Sequence, residues 1–112
     1  MRRAIRVIPV LIAAILTARA GRITFNGHYE TYYNLNMSRI VERADAFYGL
    51  KDVYSVREDG IKTYNGFVIV ASGWDVNPFG SIVETSRGLG IVLDTGAFAA
   101  REPDTIDVAA EW

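Results

Sequence analysis

Apolar positions recur along this chain at two spacings, and each spacing predicts a different kind of element. Arg22 to Tyr33 is dense in β-branched and aromatic residues and is broken by Asn26-Gly27. It predicts one or two short strands with a turn between them. Met37, Ile40, Val41, Ala44, Phe47 and Tyr48 follow at helical spacing. Asn36 stands where an N-cap is needed and Gly49 where a helix stops, so one helix is predicted over about 37–48. From Lys51 onward the pattern is strand and turn. Val53 to Val56 predicts a short strand, and Glu58-Asp59-Gly60 a turn. Ile61 to Tyr64 and Phe67 to Ser72 flank Asn65-Gly66, a strong two-residue hairpin signal. A Pro-Phe-Gly turn lies within Gly73 to Gly80. Ser81 to Thr85, Gly90 to Leu93 and Thr105 to Ala109 predict three further strands, the first two joined by a tight turn over Arg87 to Gly90. Val68 to Ala71 and Ile91 to Leu93 are continuous apolar runs, which suit strands buried on both faces. One helix followed by about six short strands predicts a mainly β fold, a small closed barrel over about 53–110.

The first twenty residues follow another logic. Met1 to Arg6 is basic, Val7 to Leu16 is an unbroken apolar run, and Ala18-Arg19-Ala20 fits the small-x-small rule for cleavage before Gly21. The apolar run is shorter than the roughly 20 residues that span a bilayer. Pro9 weakens it as a core helix, and its apolar residues do not gather on one helical face. The segment predicts a signal peptide or signal anchor over 1–20, with residues 21–112 as one secreted, extracytoplasmic domain.

Composition narrows the chemistry. The 112 residues have room for one domain, and an apolar half excludes disorder. Without cysteine there is no disulfide framework, thiolate metal site or cysteine nucleophile, and His28 is the one histidine. No cofactor or metal is expected. Past residue 20 the chain has eight basic against thirteen acidic residues, a balance that gives no nucleic-acid footprint.

The candidate chemistry lies in Gly90 to Trp112. Asp94 directly follows an apolar strand and precedes Thr95-Gly96, and Asp107 sits inside the apolar strand Ile106-Asp107-Val108. Burial raises a carboxyl pKa, and a nearby second carboxylate raises one of the two further, which is how a carboxylic acid stays protonated for general acid work. The alternative is that Asp94 caps a turn and Asp107 lies on a solvated strand face. Glu30, on an aromatic strand, is a candidate second carboxylate in a groove. Trp74, on a loop, is favoured over Tyr29, Tyr32, Tyr33 and Phe79 for stacking on a sugar ring. His28 is a candidate proton shuttle or a simple surface residue near a turn.

Ile91 to Ala97, with its Asp-Thr-Gly, resembles the active-site motif of retropepsin-type aspartic proteases. Only 16 residues follow Gly96, too few for that architecture, so this remains a remote alternative. A resemblance covering about 60 residues fits better. The strand Val68 to Ser72, then Pro78-Phe79-Gly80-Ser81, Gly88-Leu89-Gly90, Asp94-Thr95-Gly96 and Ile106-Asp107-Val108 together resemble the three-aspartate (3D) domain. That family is a double-psi β-barrel of lytic transglycosylases and other cell-wall-active proteins.

The resemblance implies a six-stranded double-psi β-barrel with one N-terminal helix, preceded by a signal-peptide-like helix. It implies a lytic transglycosylase-like enzyme cleaving the MurNAc–GlcNAc backbone of peptidoglycan, expected to act as a monomer without a lasting membrane span. Asp107 falls on the family's general acid/base, Asp94 on its partner, and Asp75 near the place of the first aspartate, with Glu30 as a helper. Thr95 follows the aspartate of the tripeptide, and Arg101 stands where the family has a lysine. With Trp74 they form the expected substrate-binding set. The alternative function is a non-catalytic glycan-binding module on an expansin-like barrel. A third carboxylate facing Asp94 and Asp107 favours the enzyme, and its absence favours binding.

Overall fold

The computed structural model describes residues 22–112. The signal sequence predicted over 1–20 lies outside them. The chain runs β1 (Ile23–Phe25), β2 (His28–Tyr33), α1 (Ser38–Tyr48), β3 (Tyr54–Val56), β4 (Lys62–Tyr64), β5 (Phe67–Ala71), β6 (Ile82–Thr85), β7 (Gly88–Asp94) and β8 (Ile106–Ala109). A short 3₁₀ turn, Ala97–Ala100, separates β7 from β8.

The turn chemistry is plain at two of the hairpins. Asn26 and Gly27 take φ of 49° and 82°, and Asn65 and Gly66 take 51° and 85°, the left-handed conformations that a type I′ turn requires. The helix has a variant start. Met37 is the capping residue and offers no side-chain acceptor. Asn36, one position earlier, accepts the Ser38 N–H on Oδ1 at 2.9 Å and satisfies one of the free donors of the first turn. Gly49 ends the helix in the left-handed conformation, φ 69°.

The eight strands form one mixed, open sheet in the order β1-β2-β8-β5-β4-β3, with β7 on β5 and β6 on β7. Among the described residues β1, β3 and β6 each pair with a single strand. This overturns the closed six-stranded double-psi barrel, and with it membership of the three-aspartate family. The strands expected to lie outside the barrel belong to the sheet, because β2 pairs in parallel with β8 from Glu30↔Ile106 to Tyr33↔Ala109.

The continuous apolar runs have another cause than closure. On one face Ile69, Ile91 and Leu93 pack with Met37, Ile40 and Ala44 of the helix segment. On the other, Val68, Val70 and Val92 pack with Ile61, Ile106 and Val108, flanked by Tyr32, Val83 and Trp112. Both faces of β5 from Val68 to Ala71 and of β7 from Gly90 to Leu93 are covered, so neither run keeps polar positions. No helix among the described residues is long and apolar enough to cross a membrane.

Ile69 is fully buried at the centre of β5. Ile69→Ala is expected to cost about 2–5 kcal/mol of unfolding free energy in a urea titration, and a loss below about 1 kcal/mol would contradict this packing.

Candidate functional site

The end of β5 brings the two aspartates together. In register, Ala71 lies opposite Asp94 on its β7 side and opposite Asp107 on its β8 side. The first pairing depends on a bulge. Val70 pairs with Val92, but Ala71 pairs with Asp94, so Leu93 is the extra residue. Residues paired across strands share a face, and strict alternation from Val92 would put Asp94 on the face opposite Leu93. The bulge returns Asp94 to the face of Ala71, where Asp107 also falls.

Strand β2 completes this face. Thr31 and Tyr33 alternate onto it, and their register partners on β8 are Asp107 and Ala109. The Thr31 hydroxyl donates to Asp107 Oδ1 at 2.8 Å. The Tyr33 hydroxyl donates to Asp94 Oδ2 at 2.9 Å, and the Thr95 N–H donates to Asp94 Oδ1 at 2.8 Å. Burial pushes the Asp107 carboxyl above its ordinary pKa. The Thr31 hydroxyl pulls it back, and the charge of Asp94 raises it further. Burial, with the charge and hydrogen bond of Asp94 and the charge of Asp107, raises the Tyr33 phenol well above its ordinary value, so Tyr33 stays a donor.

An aromatic rim adjoins the carboxyls. Trp74 is 38% exposed, and its Nε1–H donates to the backbone carbonyl of Asp94 at 3.0 Å. The same carbonyl accepts the Ser72 N–H at 3.1 Å. Phe79 packs edge-on to Trp74 with centroids 5.8 Å apart, and Phe47 packs edge-on to Phe79 at 5.3 Å. Arg43 of α1 donates from Nη2 to the carbonyl of Leu93 at 2.7 Å, and its guanidinium lies 5.6 Å from the ring centroids of both Trp74 and Phe79.

The structure separates Glu30, Asp75 and Arg101 from this pair, while Thr95 and Trp74 stay beside Asp94. Glu30 is fully buried, with its carboxyl taken up elsewhere. It accepts the Tyr32 hydroxyl at 2.7 Å, the Ser86 N–H at 3.0 Å and the Ser86 hydroxyl. Glu30 therefore ties the β6–β7 turn to β2. Asp75 is exposed on the loop after β5 and makes no side-chain hydrogen bond or ion pair among the described residues. Thr95 is exposed and reaches Asp94 through its backbone N–H. Arg101 lines a cleft of about 450 Å³ with His28, Tyr29 and Pro103, whose walls include neither aspartate. The buried Nε2 of His28 has no hydrogen-bond partner. A groove of about 740 Å³ at the start of α1 is lined by Ser38, Glu42, Tyr54, Lys62 and Glu111 among others. There the Lys62 ammonium holds the β2–α1 loop, donating to Asn34 Oδ1 and the Leu35 carbonyl at 2.7 Å each.

Sequence reasoning missed Thr31 and Arg43. Thr31 alternates with Tyr33 on a strand, but that strand's parallel partner is 76 residues away. Arg43 lies in the helical pattern between Ile40 and Ala44, a position that ordinarily faces solvent.

The predicted lytic transglycosylase mechanism is overturned. It needs the closed barrel, which the open sheet excludes, and an acidic cluster, but among the described residues no three His, Asp or Glu side chains come together. The expansin-like barrel fails with the closed fold. The aspartic protease reading fails too, since Asp94 is engaged within its own chain by Tyr33 and Thr95 and lies beside Asp107. No protein-family profile matches the chain, and no curated protein matches it.

A raised folded-state pKa makes an aspartate stabilising below its unfolded pKa of about 3.9, and that stability is lost as pH rises through the folded value. Asp107→Asn keeps an acceptor for Thr31 and removes the buried charge. It is expected to raise the urea midpoint at pH 7, with the gain shrinking as pH falls to about 3. A lower midpoint at pH 7 would contradict this account of Asp107.

Proposed function

We propose that this protein binds a glycan and does not cleave it. The observation that carries the reading is the placement of two carboxyl groups, Asp94 and Asp107, on one face beside the half-exposed indole of Trp74. Sugar rings offer hydroxyl donors at their edges and apolar C–H faces. Carboxylate oxygens accept the former in charge-assisted hydrogen bonds, and an aromatic ring covers the latter. Thr31 and Tyr33 hold the two carboxyls, so little side-chain entropy remains to be lost on binding.

One further observation favours binding over turnover. Glu30 is committed to Tyr32 and Ser86, and Asp75 makes no contact with the pair, so no third carboxylate supports an acid/base relay. The basic and apolar start of the chain, with its small-x-small site, supports an extracytoplasmic setting. Peptidoglycan or a related wall glycan is the ligand we propose there.

Calorimetric titration with soluble peptidoglycan fragments and with a chitin oligosaccharide tests the reading. Binding is expected, and mass spectrometry should recover the sugar uncut. Trp74→Ala is expected to weaken binding about tenfold, and Asp94→Asn by several-fold. Absence of binding, or binding indifferent to both substitutions, would sink the proposal.

A further inference from the structure

Arg43 is a held cation with no ion-pair partner among the described residues. Its guanidinium donates to the Leu93 carbonyl and lies 5.6 Å from the ring centroids of Trp74 and Phe79, yet the residue is exposed to solvent. The ion pairs among the described residues engage Arg22, Arg57 and Arg87, and none involves Arg43. Nε and Nη1 make no hydrogen bond within the protein among the described residues. A long surface arginine ordinarily loses considerable side-chain entropy when it grips a ligand. Here the carbonyl contact and the neighbouring rings have already taken part of that cost, and of the five N–H groups four are left over, so that the second hydrogen of Nη2 with Nε or Nη1 still makes a planar fork.

Its position links this cation to the proposed site. The carbonyl that Arg43 grips belongs to the residue before Asp94, and the neighbouring indole of Trp74 donates to the carbonyl of Asp94 itself. Among the described residues no ion pair joins Arg43 to Asp94 or Asp107. The site therefore offers acceptors for hydroxyl groups at one end and an unneutralised guanidinium fork at the other. A neutral sugar satisfies the first end alone.

We infer that the ligand is an acidic glycan, whose sugar hydroxyls meet Asp94 and Asp107 while an oxyanion on the same or the next sugar meets the Arg43 fork. The inference rests on the glycan-binding reading and names the class of glycan. A guanidinium fork fits carboxylate and phosphate oxygens alike, so the shared chemistry is an oxyanion displayed beside sugar hydroxyls.

The test uses length-matched oligosaccharides, one neutral, one carrying uronate carboxylates and one carrying phosphates, titrated into the full-length protein at low and high salt. The wild type is expected to prefer at least one of the anionic probes about tenfold over the neutral one. The preferred probe identifies the oxyanion. That preference should shrink at high salt, as expected for an exposed charge contact. Arg43→Gln, which removes the charge and keeps a polar amide, should bring the preference towards one, and Arg43→Lys should restore part of it. Matching melting curves and near-ultraviolet spectra keep a folding defect apart from a lost contact. Equal affinity for all three probes in the wild type would overturn the inference and leave the glycan reading standing. A preference that survives in Arg43→Gln would overturn it as well. If no probe binds, both readings fall.

Discussion

The two hydrogen-bonding edges of β5 are the constraint from which the rest of the structure follows. A strand has two such edges, and three neighbours share those of β5. Strand β7 takes one from Val68 to Ala71. On the other, β4 pairs with Phe67 and Val68, and β8 pairs with Val70 and Ala71. This arrangement demands a strand with no polar side, and Val68, Ile69, Val70 and Ala71 are all buried to 2% exposure or less. It also determines what meets at the far end of β5. Since β7 and β8 both reach Ala71, the residues each places opposite it are held on either side of one small side chain. Those residues are Asp94 and Asp107.

The bulge at Leu93 converts that proximity into a shared site. Leu93 stays with the helix-side core, fully buried, and Asp94 takes the register position a regular strand would have given to Leu93. Two carboxyls on one half-buried face are electrostatically costly. The protein offsets this with donors from β2, the hydroxyls of Thr31 and Tyr33, and the burial that raises the Asp107 pKa is the residue of that cost. Local rules broken at one place, with support brought from a distant strand, are characteristic of a functional surface rather than of a core. Trp74 is tied to the carbonyl of Asp94 and Arg43 to that of Leu93, so the rim and the Asp94 carboxyl are anchored on one stretch of backbone.

Much of this was legible in the residues, and the failures have physical causes. Asn26-Gly27 and Asn65-Gly66 announce their hairpins because few other residue pairs accept two successive positive φ angles. The helix announces itself by period, and its start differs from expectation only in that Asn36 acts from one position further out. The apolar runs of β5 and β7 correctly signal burial on both faces, but burial does not say what covers each face. A helix, β2 and Trp112 can serve where a closing barrel was expected. Parallel pairing of β2 with β8 links segments 76 residues apart, and no local pattern encodes it. A bulge is one residue of register, invisible to periodicity, so the sequence marked Asp94 and Asp107 as candidates without revealing how they meet. Glu30 shows the opposite hazard. An acidic residue on an aromatic strand reads as chemistry, yet Tyr32 and Ser86 absorb its acceptors in a buried turn anchor.

The most direct test of the central claim, that β5 brings Asp94 and Asp107 into one electrostatic site, is a carbon-detected nuclear magnetic resonance titration of the aspartate carboxyls in the wild type and in Asp94→Asn. Asp107 is expected to titrate above the ordinary aspartate value and to move down when Asp94 loses its charge. An Asp107 that titrates at the ordinary value and does not respond to Asp94→Asn would contradict it.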